Sequence, residues 1–342
     1  MKLPEGAYLK LNPEDEYMHP LGSEVNFNES MYFNVYDAKG KVGGWFRIGN
    51  RANEGNAEMT ACIYLPDGSI AFMFQRARIA NNDAFKAGGM EFIIDEPYKA
   101  LTVKYSGEVL LMKNPSEMID PSKAFKNNPK LPCSVELSYR GVSPMYGGEP
   151  VNADGSPLEN NPNVGFYLGH YEQHIAGTGK IVVGDKTYTI DGLGLRDHSW
   201  GPRYWQNVQF YRWLPMNFSE DFAIMCLNKT LGDGTKLIGG MVLNEGRYDL
   251  IREATIETEW DDNYYQKTLK AWAKTDHAEY EIEGRVMSLI PLRNRRTLDD
   301  GTELMTRITE GMTEYRCNGM VGYGLSEYLD QIIDGKPNGI FS

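Results

Sequence analysis

From position 194 to 205 the chain reads Gly-Leu-Arg-Asp-His-Ser-Trp-Gly-Pro-Arg-Tyr-Trp. A carboxylate, an imidazole, two arginines and two indoles in so short a stretch are the parts of an acid–base device. In an apolar cavity burial raises a carboxyl pKa, so Asp197 is a candidate proton carrier, with His198 beside it as acid or base. If 195–200 is extended, alternation puts Leu195, Asp197 and Ser199 on one face and Arg196, His198 and Trp200 on the other. Gly201-Pro202 then ends the strand, because proline cannot continue a ladder. A plainer role fits the same residues: Arg196 or Arg203 paired with Asp197, His198 hydrogen-bonded in a core, and Trp200 plugging a barrel end.

Two further clusters carry polar chemistry. His170-Tyr171-Glu172-Gln173-His174, as a strand, places His170, Glu172 and His174 on one face. Two imidazoles and a carboxylate are metal-ligand types. The helical His-Glu-x-x-His spacing is absent, however, and a strand spreads alternate residues by about 6.6 Å. A polar, pocket-lining strand face is therefore the expectation, with no metal. In Gly43-Gly44-Trp45-Phe46-Arg47 the glycines allow close backbone approach and an Arg–indole stack, either at a site or as a barrel closure. The aromatic stretch 206–214, with Phe210, Tyr211 and Trp213, follows Trp205 directly and is a candidate cavity wall.

The elements that position these residues read as β throughout. Asp67-Gly68, Gly184-Asp185, Gly232-Asp233-Gly234, Asn244-Glu245-Gly246 and Asp299-Asp300-Gly301 punctuate short runs rich in β-branched and aromatic residues. Only 81–87 and 326–333 read as short helices. About eight strands precede position 139, three more are expected from 165 to 195, and about eight follow from 206. Long antiparallel meanders usually close on themselves, since open edges invite aggregation. Two barrel-like domains in tandem, 1–204 and 205–342, follow from this count. The segment 143–165, rich in Gly, Asn and Pro, reads as a long loop over a barrel mouth.

At Asp197-His198-Ser199-Trp200-Gly201 the sequence resembles the carotenoid 1,2-hydratase-like superfamily, whose members are pairs of lipocalin-like domains and include hydratases and decalin-forming cyclases. The resemblance implies an all-β fold of two lipocalin-like antiparallel β-barrels. It also implies a large, apolar, terpenoid- or polyketide-sized ligand and addition of water to an alkene or a related proton-driven step; a cofactor-independent hydratase or dehydratase of a terpenoid-like substrate is the leading expectation. Carried over, it makes Asp197 and His198 the catalytic candidates, with Trp200 in the motif; Trp205, Tyr211, Trp45, His170, Glu172 and His174 remain candidate substrate-binding residues. The family's Tyr-x-Asp pair is absent between 206 and 230, where Tyr211 and Asp221 stand apart. A non-catalytic carrier of hydrophobic ligands needs the same cavity and no acid, and a cyclase or pericyclase of the same superfamily would fold a reactive polyene mainly by the shape of that cavity.

Composition narrows the partners. The 342 residues carry a net charge of −12 and are 41% hydrophobic, which supplies a core but no basic footprint for nucleic acid. No apolar run reaches the roughly 18 residues of a membrane span. Residues 1–10 lack the charged start and apolar core of a secretory leader, so a cytoplasmic protein with a small apolar partner is expected; a homo-oligomer is compatible with this. Cys62, Cys133, Cys226 and Cys317 stand far apart and read as buried small hydrophobes rather than disulfides.

Overall fold

The computed structural model describes residues 5–158 and 166–340 and forms two compact units. Residues up to 113 and 128–204 make the first; 114–127 and 205 onward make the second. The first is an eight-stranded closed barrel: β1 (Phe27–Asp37), β2 (Val42–Arg51), β3 (Asn56–Tyr64), β4 (Ile70–Arg78), β5 (Ala100–Met112), β6 (Lys130–Gly141), β7 (Gly169–Val183) and β8 (Lys186–Pro202). Each strand pairs antiparallel with the next, and β8 returns to pair with β1. Closure leaves no bare edge within this ring. The turns follow their sequences, with Gly68 at φ 84° between β3 and β4 and Gly184 at φ 62° between β7 and β8.

Parity along β6 identifies the inside of the barrel. Cys133, Val135, Leu137 and Tyr139 are buried while Ser134, Glu136, Ser138 and Arg140 are exposed. Tyr139 faces Gly177 of β7, and Tyr171 of β7 faces His198 of β8. Tyr171, Gln173, Arg196, His198 and Trp200 therefore point inward, and His170, Glu172, His174, Asp197 and Ser199 point outward. Phe33 stacks on Tyr139 at 5.1 Å and meets Phe92 edge-on at 5.0 Å inside the barrel. Each such buried ring contributes about 1.5–3 kcal/mol.

The seam between β1 and β8 depends on a glycine. A Cβ at Gly194 would lie 1.9 Å from the carbonyl oxygen of Asn34, whose side-chain oxygen accepts the Leu195 amide at 2.9 Å. Gly194→Ala is expected to lower stability by about 1–3 kcal/mol, read as a drop in the urea midpoint; an unchanged midpoint contradicts this packing.

The second unit is built the same way: β9 (Val208–Asn217), β10 (Phe222–Leu231), β11 (Lys236–Asn244), β12 (Arg247–Leu250), β13 (Glu253–Trp260), β14 (Gln266–Lys274), β15 (Glu279–Thr297), β16 (Glu303–Cys317) and β17 (Met320–Ile333). Its first strand, β9, pairs with its last, β17, and the ladder is interrupted between β12 and β13. Leu214, Ile224, Val242, Ile256, Leu269, Ile282, Tyr315 and Tyr328 share one core.

Several local expectations change. Residues 326–333 are not a helix but the end of β17, because that segment is paired on both sides, by β9 and β16. The stretch 81–87 is a loop ending in the short strand Lys86–Ala87; Asn82 is held by its side chain instead of helical bonds. The one α-helix among the described residues is Pro121–Asn127. Two long strands, β7 and β8, replace the three expected before position 195. Of the expected loop 143–165, residues 159–165 lie outside the described residues, and Tyr146–Val151 is a strand paired with β7 and with Tyr8–Lys10. The four cysteines are free and buried. No helix among the described residues is long and apolar enough to cross a membrane.

Candidate functional site

Register fixes which chemistry faces which side of the first barrel. On the outer face, Glu172 of β7 stands opposite Asp197 of β8, Asp197 opposite Tyr32 of β1, and Tyr32 opposite Arg47 of β2. Two carboxylates, a phenol and a guanidinium thus form one row across four strands. The neighbouring row holds His170, Ser199 and Ser30.

His170 joins the rows. Its Nε2 lies 3.7 Å from Glu172 Oε1 and 3.8 Å from Asp197 Oδ2, with the side chains of His170 and Asp197 each 23% exposed and Glu172 buried. Tyr167 stacks on the imidazole at 4.9 Å. Burial, then the charge of Glu172, pushes the Tyr167 phenol up to about 12, so it stays a protonated donor. Tyr32 and Trp45 stack at 5.9 Å on this face. Arg203 donates to Ser199 Oγ at 2.6 Å and packs over Phe166. An imidazole between two carboxylates, partly open to its surroundings and walled by aromatic rings, can hold and hand over a proton.

The inner face is a different, largely buried system. Arg196 is fully buried and makes a two-pronged pair with Glu16, at 2.6 and 2.9 Å, and a 2.9 Å bond to Gln173. Tyr171 donates its hydroxyl proton to Glu16, and the Tyr171 oxygen lies 3.0 Å from His198 Nδ1. His198 Nε2 lies 3.1 Å from Glu29 Oε1, and His19 Nδ1 lies 2.7 Å from the same oxygen. His19 stacks on Trp200 at 3.7 Å, and Phe85 meets His198 edge-on at 5.2 Å. Burial alone would raise the Glu29 carboxyl, but its bonds to His19 and His198 and their charge hold it down at about 2.

Glu16 has an acid-stability signature. Burial pushes its carboxyl up, yet the Arg196 charge and the bonds from Arg196 and Tyr171 leave it below the ordinary glutamate value. A depressed carboxylate adds stability that is complete above its unfolded pKa and lost as pH falls through the folded one. Stability is therefore expected to decline as pH falls below the ordinary glutamate range, less steeply in Glu16→Gln, as followed by denaturant titration at several pH values. Equal slopes in parent and variant would remove Glu16 from the acid response.

The residues singled out in the sequence thus separate. The structure gathers His170, Glu172, His174, Asp197 and Trp45 on the outer face, and His198 and Trp200 inside. Asp197 and His198 lie on opposite sides of β8, because adjacent strand residues face opposite ways. Neither arginine takes the place expected beside Asp197: Arg196 pairs with Glu16, and Arg203 binds serines. The expected Arg47–Trp45 stack gives way to an Arg47–Glu58 ion pair at 3.3 Å. His170 and Glu172 meet directly, yet the histidine and carboxylate donors that converge among the described residues are His19, Glu29 and His198, within 4.8 Å of one another. Trp205 and Tyr211 belong to the second unit, where Tyr211 donates to Glu327. Tyr32, Tyr167, Glu16, His19 and Glu29 were missed. The parity of 195–200 pointed to partners from neighbouring strands, but only register names them.

A family model described as Domain of unknown function (DUF7064) matches residues 12–332. No curated protein matches the sequence. Among solved structures, a protein provisionally designated AttH from Nitrosomonas europaea aligns over 96% of this chain and 98% of its own, at 12% identity and TM-score 0.61. CghA with Sch210972 aligns over 92% and 89%, at 8% identity and TM-score 0.54. Kievitone hydratase from Nectria haematococca aligns over 88% of each chain, at 9% identity and TM-score 0.52. At these identities the likeness establishes the fold: two lipocalin-like antiparallel units in tandem.

Proposed function

This chain belongs to the DUF7064 family, and from the outer face of its first barrel we propose that it adds water to, or removes it from, a carbon–carbon double bond of an apolar, terpenoid-like substrate. The observation that carries the reading is His170 Nε2 held between Glu172 and Asp197, partly exposed, among stacked aromatic rings. The resemblance of Asp197-His198-Ser199-Trp200-Gly201 to the motif of the carotenoid 1,2-hydratase-like superfamily supports it. So does the fold shared with kievitone hydratase.

In hydration, the His170 imidazolium gives its Nε2 proton to one alkene carbon, forming a C–H bond and a carbocation at the other. The Asp197 carboxylate balances the positive charge, and the ring faces of Tyr32 and Trp45 favour the carbocation. Water attacks the cationic carbon, its released proton passes to the Glu172 carboxylate, and transfer from Glu172 restores the imidazolium. Dehydration runs the same steps backward. Tyr167 and Tyr32 supply the hydroxyl donors that orient water.

Incubating the protein with a panel of unsaturated terpenoids in heavy-oxygen water tests the reading. A product heavier than its substrate by one labelled water is expected. Retention of a terpenoid without conversion would make the protein a carrier, and a rearranged product of unchanged mass would make it a cyclase; either result overturns hydration.

A further inference from the structure

The contacts of the inner cluster constrain where its protons can lie. Tyr171 has one hydroxyl proton, and it goes to Glu16. His198 Nδ1, 3.0 Å from the Tyr171 oxygen, must therefore carry a hydrogen and donate it. That leaves the Nε2 lone pair facing Glu29 Oε1 at 3.1 Å, two acceptors in contact. Oε2 accepts from the Asn82 amide at 2.6 Å, the His19 backbone N–H lies 3.0 Å from both carboxylate oxygens, and His19 Nδ1 lies 2.7 Å from Oε1. Arg196 pairs with Glu16, so the groups left to balance the buried Glu29 are the two imidazoles that touch it, His19 and His198, or an ion they hold with it. A metal ion held between His198 Nε2, His19 and Glu29 Oε1 would turn that contact of two acceptors into a set of ligands.

We propose that His19, Glu29 and His198 form a divalent transition-metal site of the zinc class. Two imidazole nitrogens and one carboxylate oxygen, all within 4.8 Å of one another, are the donor set such ions take. The surrounding shell is that of a metal site: Tyr171, fixed by Glu16 and Arg196, receives the second N–H of His198, and Asn82 orients the carboxylate. Asp15 Oδ1 lies 3.4 Å from His19 Nε2. The three ligands come from the N-terminal segment, from β1 and from β8. The ion would fasten that segment across the seam that closes the barrel. The proposal is independent of the acid–base reading, which uses the opposite face.

The full-length protein, stripped with a chelator and dialysed, is titrated with zinc and, separately, with cobalt(II). One ion per chain by elemental analysis and a raised melting temperature are expected. Tyr171→Phe should weaken binding about 10–100-fold, and His19→Gln, with unchanged circular dichroism, should abolish it. His170→Ala should bind as the parent does. Failure of both ions to bind, or binding that survives His19→Gln, overturns the site.

Discussion

Replacing Arg196 by methionine is expected to lower stability by about 3–5 kcal/mol at neutral pH, the largest loss of any single change considered. The guanidinium is fully buried, commits both terminal nitrogens to Glu16 and its Nε to Gln173, and lies over the Tyr171 ring at 5.5 Å. Methionine fills part of the volume but leaves Glu16 ionised in a dry environment, and leaving a buried charge uncompensated is the dominant penalty. Removing both charges, as Arg196→Met with Glu16→Leu, should recover most of the loss, because a buried ion pair can often be replaced by apolar groups at little net cost. Denaturant unfolding followed by circular dichroism measures both. A single-variant loss under about 1 kcal/mol, the scale of an exposed pair, would mean that the interior is wetter than described.

The second large effect concerns turnover. His170→Ala should reduce the rate of hydration about 10²–10⁴-fold, the usual contribution of a positioned acid–base group. With its side chain 23% exposed, His170 should be lost with little change in melting temperature. Asp197→Asn keeps the shape of the site but removes the charge balancing the imidazolium, so it should slow the reaction without unfolding the barrel. His198→Ala discriminates: it should cost stability through the buried network, with only a secondary effect on rate in the fraction that remains folded. If His198→Ala silenced folded enzyme while His170→Ala did not, the chemistry would belong inside the barrel and the outer-face mechanism would be wrong.

How far could the sequence be read? The alternation at 195–200 sorted Arg196, His198 and Trp200 from Asp197 and Ser199 correctly, because a strand in a closed barrel has one inside and one outside. The hairpin at Asp67-Gly68 was equally visible, since a left-handed glycine leaves a mark in composition. The partners were not visible. Glu16 meets Arg196 across 180 positions and Glu29 meets His198 across 169; no local period encodes such distances. The helix expected over 326–333 failed because pairing on both sides outweighed local propensity. A signal was available there: Asn318-Gly319, with φ 51° and 75°, is a hairpin turn, and reading it would have extended the strand through 333.

The return of β8 to β1 also constrains how the protein is made. Tyr32 finds Asp197 only once the chain has grown 165 positions further, so during translation the nascent barrel waits with the free sides of its first and latest strands bare. Contacts this remote in sequence slow folding and lengthen the exposure of sticky strands. When Pro202 leaves the ribosome, most of the second unit is still unwritten. Closure of the first unit therefore waits on the last of its own strands, which makes the pairing of β8 with β1 its latest contact to form.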